Sequence, residues 1–323
     1  MIKKLALTLT ATAVFANFYV GVGGFSACPS KYGSSYYKRC PYPKQRPLYD
    51  FLPKETPNVN AVSIWITRGW KEFWYPAKTV NSFIKKGYTP VFIFYWFGDD
   101  ISKEFVTKNK KKYFSDLKRF INYLKKINGK KIVIINPEYN ENGMSDSKMF
   151  DALQVKTIKM LHKIKDTMVG VCPGDFGDYK VNNDIQNWKF FEKSLKNSAK
   201  ESDFIAFQEM RAVTRNTKEE ILNTPLRSLY FTRYLHKTYK KPVFLAYVAI
   251  SSYKALDVQA DVFKNYAKLM PQFKKAGLIG INLFNYIDVP THTGYFNEAE
   301  KYFGIKYCDG ERKPSFYEFK KIK

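Results

Sequence analysis

The sequence predicts a single (β/α)8 barrel. Eight apolar runs of strand length alternate with longer stretches that have helical periodicity. Several of these runs are apolar at nearly every position, which is typical of a parallel sheet that is covered on both faces. The chain has 323 residues, a length that suits one large barrel domain. No linker-like or low-complexity tract interrupts the sequence, so we expect one catalytic domain over residues 17–323.

Strands and helices alternate regularly along the chain. Glycine and proline mark the joints at Gly87, Pro90, Gly129, Pro242 and Gly277. The predicted strands, in chain order, are Phe18–Gly23, Ala61–Thr67, Pro90–Trp96, Ile132–Glu138, Met168–Pro173, Phe204–Glu209, Val243–Val248 and Leu278–Phe284. The predicted helices are Thr79–Lys86, Lys103–Ile127, Lys148–Lys165, Asp184–Ala199, Lys218–Tyr239 and Gln259–Lys275.

A doubly wound open sheet is the alternative fold. That fold needs a glycine-rich phosphate turn that leads from the first strand into a helix. The run Gly21-Val22-Gly23-Gly24 is rich in glycine, but a loop rich in Cys, Pro and Tyr follows it rather than a helix. We therefore reject a dinucleotide site and predict no cofactor.

The N-terminal residues 1–16 have the pattern of a secretory signal peptide. Two lysines precede the apolar stretch Leu5–Phe15, and Val14-Phe15-Ala16 is a variant of the small-residue cleavage site. We therefore expect an exported protein, either periplasmic or secreted. A lipoprotein signal peptide is the alternative, and it would anchor the mature protein through Cys28.

The four cysteines are interpreted in the light of export, which permits disulfides. Cys28 and Cys40 flank a polar loop and form the expected pair, whereas Cys172 lies in an apolar strand and is expected to be a buried thiol. Cys308 has no obvious partner. Neither the cysteine spacing nor the three histidines fit a zinc site, so we predict no metal.

The chain is strongly basic, with 54 Lys and Arg against 29 Asp and Glu and a net charge of +25. Such a charge suits an anionic partner, either an acidic polysaccharide or the anionic cell envelope. Most of the excess is lysine spread along the helices, which favours a solvated surface instead. An exported chain without a nucleic-acid motif is not expected to bind nucleic acid. We expect a monomer.

Two carboxylates end strand-length apolar runs, Glu138 after IVIINP and Glu209 after FIAFQ. A carboxylate at the end of a buried strand costs burial energy unless it has a partner or a function. In a (β/α)8 barrel, the active site lies at the carboxyl ends of the strands. We therefore predict that Glu138 and Glu209 face one cavity and act as catalytic acid and base. A structural ion pair between Glu209 and Arg211 is the alternative for the second residue.

Further side chains at the strand ends are rich in carboxylates and aromatic rings. Acids transfer protons, and ring faces stack on sugar C–H surfaces, so this mixture points to a carbohydrate site. The predicted substrate-binding residues are Trp65, Trp96, Asp100, Asn136, Tyr139, Asp175, Arg211, Tyr247, Tyr286 and His292.

Three segments carry a family resemblance. Strand four ends in Asn136-Pro137-Glu138, the last strand contains Gly280–Tyr286, and the tail contains Phe303-Gly304-Ile305, Asp309-Gly310 and Lys313–Phe319. In these segments the chain resembles the clan A glycoside hydrolases, a large group of (β/α)8 retaining enzymes. The resemblance implies that Glu138 is the acid/base residue and that the substrate is a polysaccharide or another glycan.

The chain departs from that clan at two places. Pro137 separates the Asn from the Glu, which are adjacent in the clan. The clan has its nucleophilic Glu at the end of strand seven, but Val243–Ala249 contains no carboxylate. The second carboxylate is instead Glu209 on strand six, which is consistent with a relocated base and an inverting enzyme. A carboxyl separation of about 5 Å would indicate retention, and roughly 6.5–9.5 Å would indicate inversion.

Three functions remain open on this sequence. The first is an exported glycoside hydrolase, retaining or inverting. The second is a barrel that binds glycan without cleaving it, after loss of the strand-seven nucleophile. The third is another enzyme on the same fold, such as a lyase or a metal-dependent hydrolase that uses Asp99, Asp100, Asp175 and Asp178.

Overall fold

The computed structural model describes residues 18–23, 55–140, 142–175, 188–290 and 292–323, without the side chains of 189 and 190. The predicted signal peptide, Cys28, Cys40 and Asp178 lie outside the described residues. Within them, no helix combines the length and the apolar character that a membrane span requires.

Eight parallel strands close into a barrel in sequence order, with the eighth strand paired to the first. The predicted fold class, a (β/α)8 barrel, is therefore confirmed. The strands are β1 (Tyr19–Val22), β2 (Ala61–Thr67), β3 (Thr89–Tyr95), β4 (Lys131–Ile135), β5 (Thr167–Val171), β6 (Phe204–Arg211), β7 (Val243–Ile250) and β8 (Leu278–Leu283).

Helices follow most of the strands and cover the outside of the barrel. In the described residues they are α1 (Ala77–Lys85), α2 (Lys103–Leu124), α3 (Lys148–Leu161), α4 (Glu192–Leu195), α5 (Ser198–Glu201), α6 (Lys218–Leu222), α7 (Thr224–Tyr239), α8 (Leu256–Lys275) and α9 (Pro314–Phe319). Short 3-10 helices lie at Glu72–Trp74, Gly98–Asp100, Trp188–Phe191 and Asn297–Tyr302. Serine caps start α2 and α3, where the Ser102 and Ser147 side chains accept hydrogen bonds from backbone N–H groups.

The two faces of each strand belong to different apolar clusters. On β6, Phe204 and Ala206 join a cluster inside the barrel, whereas Ile205 and Phe207 join the larger cluster between the barrel and the helices. Both faces are therefore buried, as the continuous apolar runs predict. This alternation decides which strand-end side chains reach the barrel interior.

One cysteine prediction is corrected. Cys308, for which the sequence suggests no partner, is disulfide-bonded, and its partner lies outside the described residues. Cys172 is a free, fully buried thiol inside the barrel, as expected.

Candidate active site

Glu138 lies in a tight turn that follows β4. The strand ends earlier than predicted because Asn136 and Glu138 both adopt left-handed backbone conformations, with φ values of 49° and 59°. The Glu138 N–H donates to the Cys172 carbonyl at 3.0 Å. The Asn140 side chain donates to the Gly174 carbonyl at 2.8 Å and accepts from the Gly174 N–H at 2.6 Å. These bonds fasten the turn to the chain that follows β5 and fix the position of the carboxylate.

Tyr247 on β7 is the hydrogen-bond donor to Glu138, with 2.5 Å between its hydroxyl oxygen and Oε1. A register shift in the β6–β7 pairing places Tyr247, rather than Ala246, next to Gln208. Both Ala246 and Tyr247 consequently pack inside the barrel. Burial, and then the negative charge of Glu138, raise the pKa of Tyr247 well above its ordinary value. The phenol therefore stays protonated at neutral pH and remains a donor.

Aromatic rings surround this pair at the carboxyl ends of the strands. Trp65 is central, with ring centroids 5.1 Å from Tyr247, 5.3 Å from Phe284 and 5.6 Å from Tyr95. The Phe284 ring also contacts Tyr247 at 5.6 Å and stacks on His292 at 5.6 Å. We call Trp65, Tyr95, Tyr247, Phe284 and His292 the aromatic mouth. Of the predicted substrate-binding residues, Trp65, Tyr247 and His292 thus belong to the aromatic mouth.

Glu209 does not share this cavity. It lies on the helix-facing side of β6, with Ile205 and Phe207, and its side chain has no exposed surface. Its Oε1 accepts a 3.0 Å hydrogen bond from Ser228 on α7, and the Ser228 hydroxyl lies 2.7 Å from that of Tyr266 on α8. The expectation that Glu138 and Glu209 face each other across one cavity is corrected by this placement.

Glu209 belongs instead to a buried ion cluster, which consists of Asp175, Glu209, Arg211 and Arg227. Arg211 lies 2.9 Å from Glu209 and 3.5 Å from Asp175, and the Arg227 side chain binds the Asp175 carboxylate. Burial, and then the negative charge of Asp175, raise the pKa of Glu209 to about 8. The structural pairing of Glu209 with Arg211 is present. Asp175 and Arg211 pair with other members of the buried ion cluster, so the prediction that they bind substrate is corrected.

Three predicted sugar platforms are buried in the helix layer. Trp96 is 1% exposed and donates to Asp116 of α2. Tyr139 is fully buried against Phe150 of α3. Tyr286 is fully buried and contacts α9. These three predictions are corrected, because a side chain next to a strand end faces outward as often as inward.

Asn136 and Asp100, two of the predicted substrate-binding residues, differ in their exposure to solvent. Asn136 is 2% exposed and faces α2, where the Tyr113 hydroxyl donates to its Oδ1 at 3.4 Å. The left-handed turn thus separates Asn136 from the face that carries Glu138. Asp100 stays exposed near the rim of the barrel and pairs with Arg68 at 2.5 Å.

Three residues of the site or next to it are not among the predicted ones, namely Tyr95, Phe284 and Glu300. Tyr95 adjoins Trp96, and only the phase of β3 decides which of the two faces inward. Phe284 lies at the end of the last predicted strand, so its position could have been found. Glu300, which lies 3.5 Å from His292, comes eight residues after it in the short 3-10 helix Asn297–Tyr302 and gives no sequence signal.

The described residues contain no group of three His, Cys, Asp or Glu side chains that is close enough to hold a metal ion. Chemically, the aromatic mouth and its surroundings offer the Glu138 carboxylate, the Tyr247 phenol as a donor, an imidazole and several ring faces.

Comparison with known proteins gives matches of fold only. No model of a known protein family matches the chain, and no curated protein is similar to it. Among solved structures, a beta-glucuronidase from an uncultured Clostridium species is 14% identical with a TM-score of 0.60, over 94% of this chain. The chain spans 50% of the length of that enzyme.

Two further matches are a GH26 beta-mannanase from Bacteroides ovatus and an exo-beta-1,4-mannosidase from an Opitutaceae bacterium. The mannanase is 11% identical with a TM-score of 0.60, over 95% of this chain and 88% of that one. The mannosidase is 12% identical with a TM-score of 0.60, over 94% of this chain and 58% of that one. The chain therefore has the barrel fold of clan A-like glycosidases, as the sequence resemblance implies.

Proposed function

We propose that this protein is an exported glycoside hydrolase that cleaves a polysaccharide or a cell-envelope glycan, with Glu138 as its general acid. The observation that carries the proposal is the position of Glu138. Its carboxylate lies at the carboxyl end of the barrel, within the aromatic mouth, and accepts a hydrogen bond from Tyr247. This is the end of a (β/α)8 barrel at which catalytic residues lie.

The chemistry follows from the groups in the mouth. A sugar that stacks on Trp65 would bring its glycosidic oxygen toward Glu138, which donates a proton as the bond to the leaving group breaks. Trp65 is partly exposed and already packs on three other rings, so its orientation is fixed before a sugar binds. Glu209 has a structural role in this proposal, because it lies on the helix-facing side of β6 within the buried ion cluster.

A glycan-binding barrel without catalysis is the second candidate function. The observation that favours it concerns β7, where the clan A resemblance implies a nucleophilic Glu and the segment Val243–Ala249 contains Tyr247 but no carboxylate. A binder would keep the aromatic mouth and would have no need of a second proton-transfer group.

Export is a proposal that rests on the N-terminal pattern. The disulfide at Cys308 supports it, because structural disulfides persist mainly in oxidising compartments. Secretion and a lipid anchor at Cys28 are distinguished by mass spectrometry of the mature protein after detergent extraction from cells.

The test of function compares the wild type with Glu138→Gln on a panel of polysaccharides. Hydrolysis is measured as reducing ends released, and binding is measured by affinity electrophoresis in the same glycans. The hydrolase proposal predicts that the wild type cleaves at least one glycan and that the variant binds it without cleavage. Binding by both proteins with cleavage by neither would establish the second candidate instead.

A further inference from the structure

His292 lies in a loop on the opposite side of the barrel from the turn that holds Glu138. The strands close in sequence order, so β4 and β8 lie on opposite sides of the barrel. Glu138 follows β4, and His292 is in the loop that follows β8. The His292 ring stacks on Phe284 with 5.6 Å between centroids and an angle of 23°. Phe284 in turn contacts Trp65 and Tyr247, so His292 borders the surface on which a sugar would stack.

A buried carboxylate orients the imidazole. Nε2 of His292 lies 3.5 Å from Oε2 of Glu300, whose side chain is 6% exposed. The other carboxylate oxygen of Glu300 accepts a 2.9 Å hydrogen bond from the Phe296 N–H. The negative charge of Glu300 favours the tautomer that carries its proton on Nε2, and this tautomer has its lone pair on Nδ1. Within the part of the chain that the structure describes, the contact with Glu300 is the only one that the His292 ring makes with a polar side chain or backbone group.

The loop is built around this pair. A Cβ atom at Gly294 would lie 2.6 Å from the Glu300 carboxylate, so a side chain at this position would displace that carboxylate. The His292 N–H donates to the Val289 carbonyl at 2.8 Å, and the Ser251 hydroxyl donates to the Ala299 carbonyl at 2.7 Å. These two hydrogen bonds hold in place the backbone around His292 and Glu300.

We propose that His292, positioned by Glu300, is the general base of a single-displacement glycosidase in which Glu138 is the general acid. Nδ1 of His292 takes a proton from a water molecule, and the water oxygen forms the new bond to the anomeric carbon. Glu138 gives its proton to the leaving oxygen as the glycosidic bond breaks. The products are two hydroxyl groups, and His292 and Glu138 then return to their starting states by proton exchange with solvent. The anomeric configuration is inverted, because water attacks from the side opposite to the leaving group.

The surroundings of His292 suit a base. Burial lowers the pKa of the imidazole, and the charge of Glu300 opposes this effect in part. The ring is therefore neutral at neutral pH, the state that accepts a proton. About a third of the side chain remains exposed, at 32%, so water reaches it.

This assignment rests on the proposed hydrolase function, and the experiment separates the two. The anomer formed first by the wild type is recorded by proton NMR on a cleaved glycan. The rate constants of His292→Asn and Glu300→Gln are measured on the same glycan across pH. His162→Asn is the matched control, because His162 pairs with Asp203 at 3.0 Å where α3 leads into β5, at the opposite end of the barrel.

We expect an inverted product and a loss of about 100-fold or more in kcat for His292→Asn, with unchanged thermal unfolding. Glu300→Gln should shift the acidic limb of the pH profile to lower pH, because the charge that raises the His292 pKa is gone. His162→Asn should match the wild type. A retained anomer, or a His292→Asn kcat within about twofold of the wild type, would overturn the assignment while leaving the hydrolase function intact. A wild type that cleaves no glycan would overturn both.

Discussion

The Tyr247 hydroxyl donates a 2.5 Å hydrogen bond to Oε1 of Glu138 and so joins β7 to β4 across the barrel mouth. Tyr247 faces inward because of the register shift between β6 and β7. Without that shift, strand alternation would direct its side chain toward the helices. A phenol therefore stands at the strand-seven end, where the clan A resemblance implies a carboxylate.

Removal of the Tyr247 hydroxyl should weaken catalysis without unfolding the barrel. A hydrogen bond to a charged group contributes about 1.5–3 kcal/mol. Tyr247→Phe should accordingly lower kcat/KM by about 10- to 100-fold. Tyr317→Phe, at an exposed ring, is the control for loss of a hydroxyl. Equal kcat/KM values for the two variants would show that the bond to Glu138 has no part in the reaction.

Trp65 should contribute chiefly to substrate binding. Trp65→Ala removes the ring that contacts Tyr95, Tyr247 and Phe284, so we expect KM on a cleaved glycan to rise by about tenfold, equivalent to about 1.4 kcal/mol. Phe73→Ala is the matched control, because Phe73 is 58% exposed and lies outside the mouth. A rise in KM of the same size in both variants would contradict a specific sugar platform at Trp65.

The stability of the protein should depend on the protonation of Glu209. Its pKa is about 8 in the folded protein and near 4.5 in an ordinary environment. Between these values the folded state retains a proton that the unfolded chain releases. The contribution of this group to the free energy of unfolding is therefore complete at the acidic end and falls as pH rises toward 8.

Glu209→Gln isolates that contribution, because glutamine has the shape of the protonated acid and does not ionise. Urea unfolding of both proteins at about pH 5 and about pH 8.5 measures it. The wild type should lose more stability than the variant over this interval. Parallel losses in the two proteins would contradict the raised pKa.

The buried ion cluster should be sensitive to loss of one charge. Arg227 is 4% exposed and binds Asp175, so Arg227→Leu leaves a buried carboxylate with less compensation. We expect a loss of about 3–5 kcal/mol in the free energy of unfolding. Lys193→Leu, which breaks the exposed pair with Asp146, should cost at most about 1 kcal/mol in the same urea titration. Similar losses in both variants would show that the cluster has no special role.

The barrel could be predicted because its signals are local. Each strand is a continuous apolar run between breakers, and the described strands begin and end close to the predicted ones. The late end predicted for β4 is the clearest exception, since two left-handed residues, Asn136 and Glu138, end the strand after Ile135. No composition rule marks those two positions, because both residues are compatible with an extended strand.

The site was only partly predictable, because both faces of every strand are apolar. Nothing in FIAFQE distinguishes the face of Ala206 from that of Phe207, so the sequence does not tell whether Glu209 faces the substrate or the helices. The face of β6 on which Glu209 lies is set by contacts with Ser228 and Tyr266, which come later in the chain, on α7 and α8. The same ambiguity applies at the end of β3. Trp96 is the predicted substrate-binding residue there, but Tyr95 faces the barrel interior and Trp96 faces the helices.

The central claim is that Glu138 acts on the substrate and that Glu209 does not. The most direct test is kcat for Glu138→Gln and Glu209→Gln on one cleaved glycan, at a pH near 6, where Glu209 is protonated in the wild type. We predict a loss of about 100- to 10,000-fold for the first variant and less than about tenfold for the second. Equal large losses in two folded variants would contradict the claim.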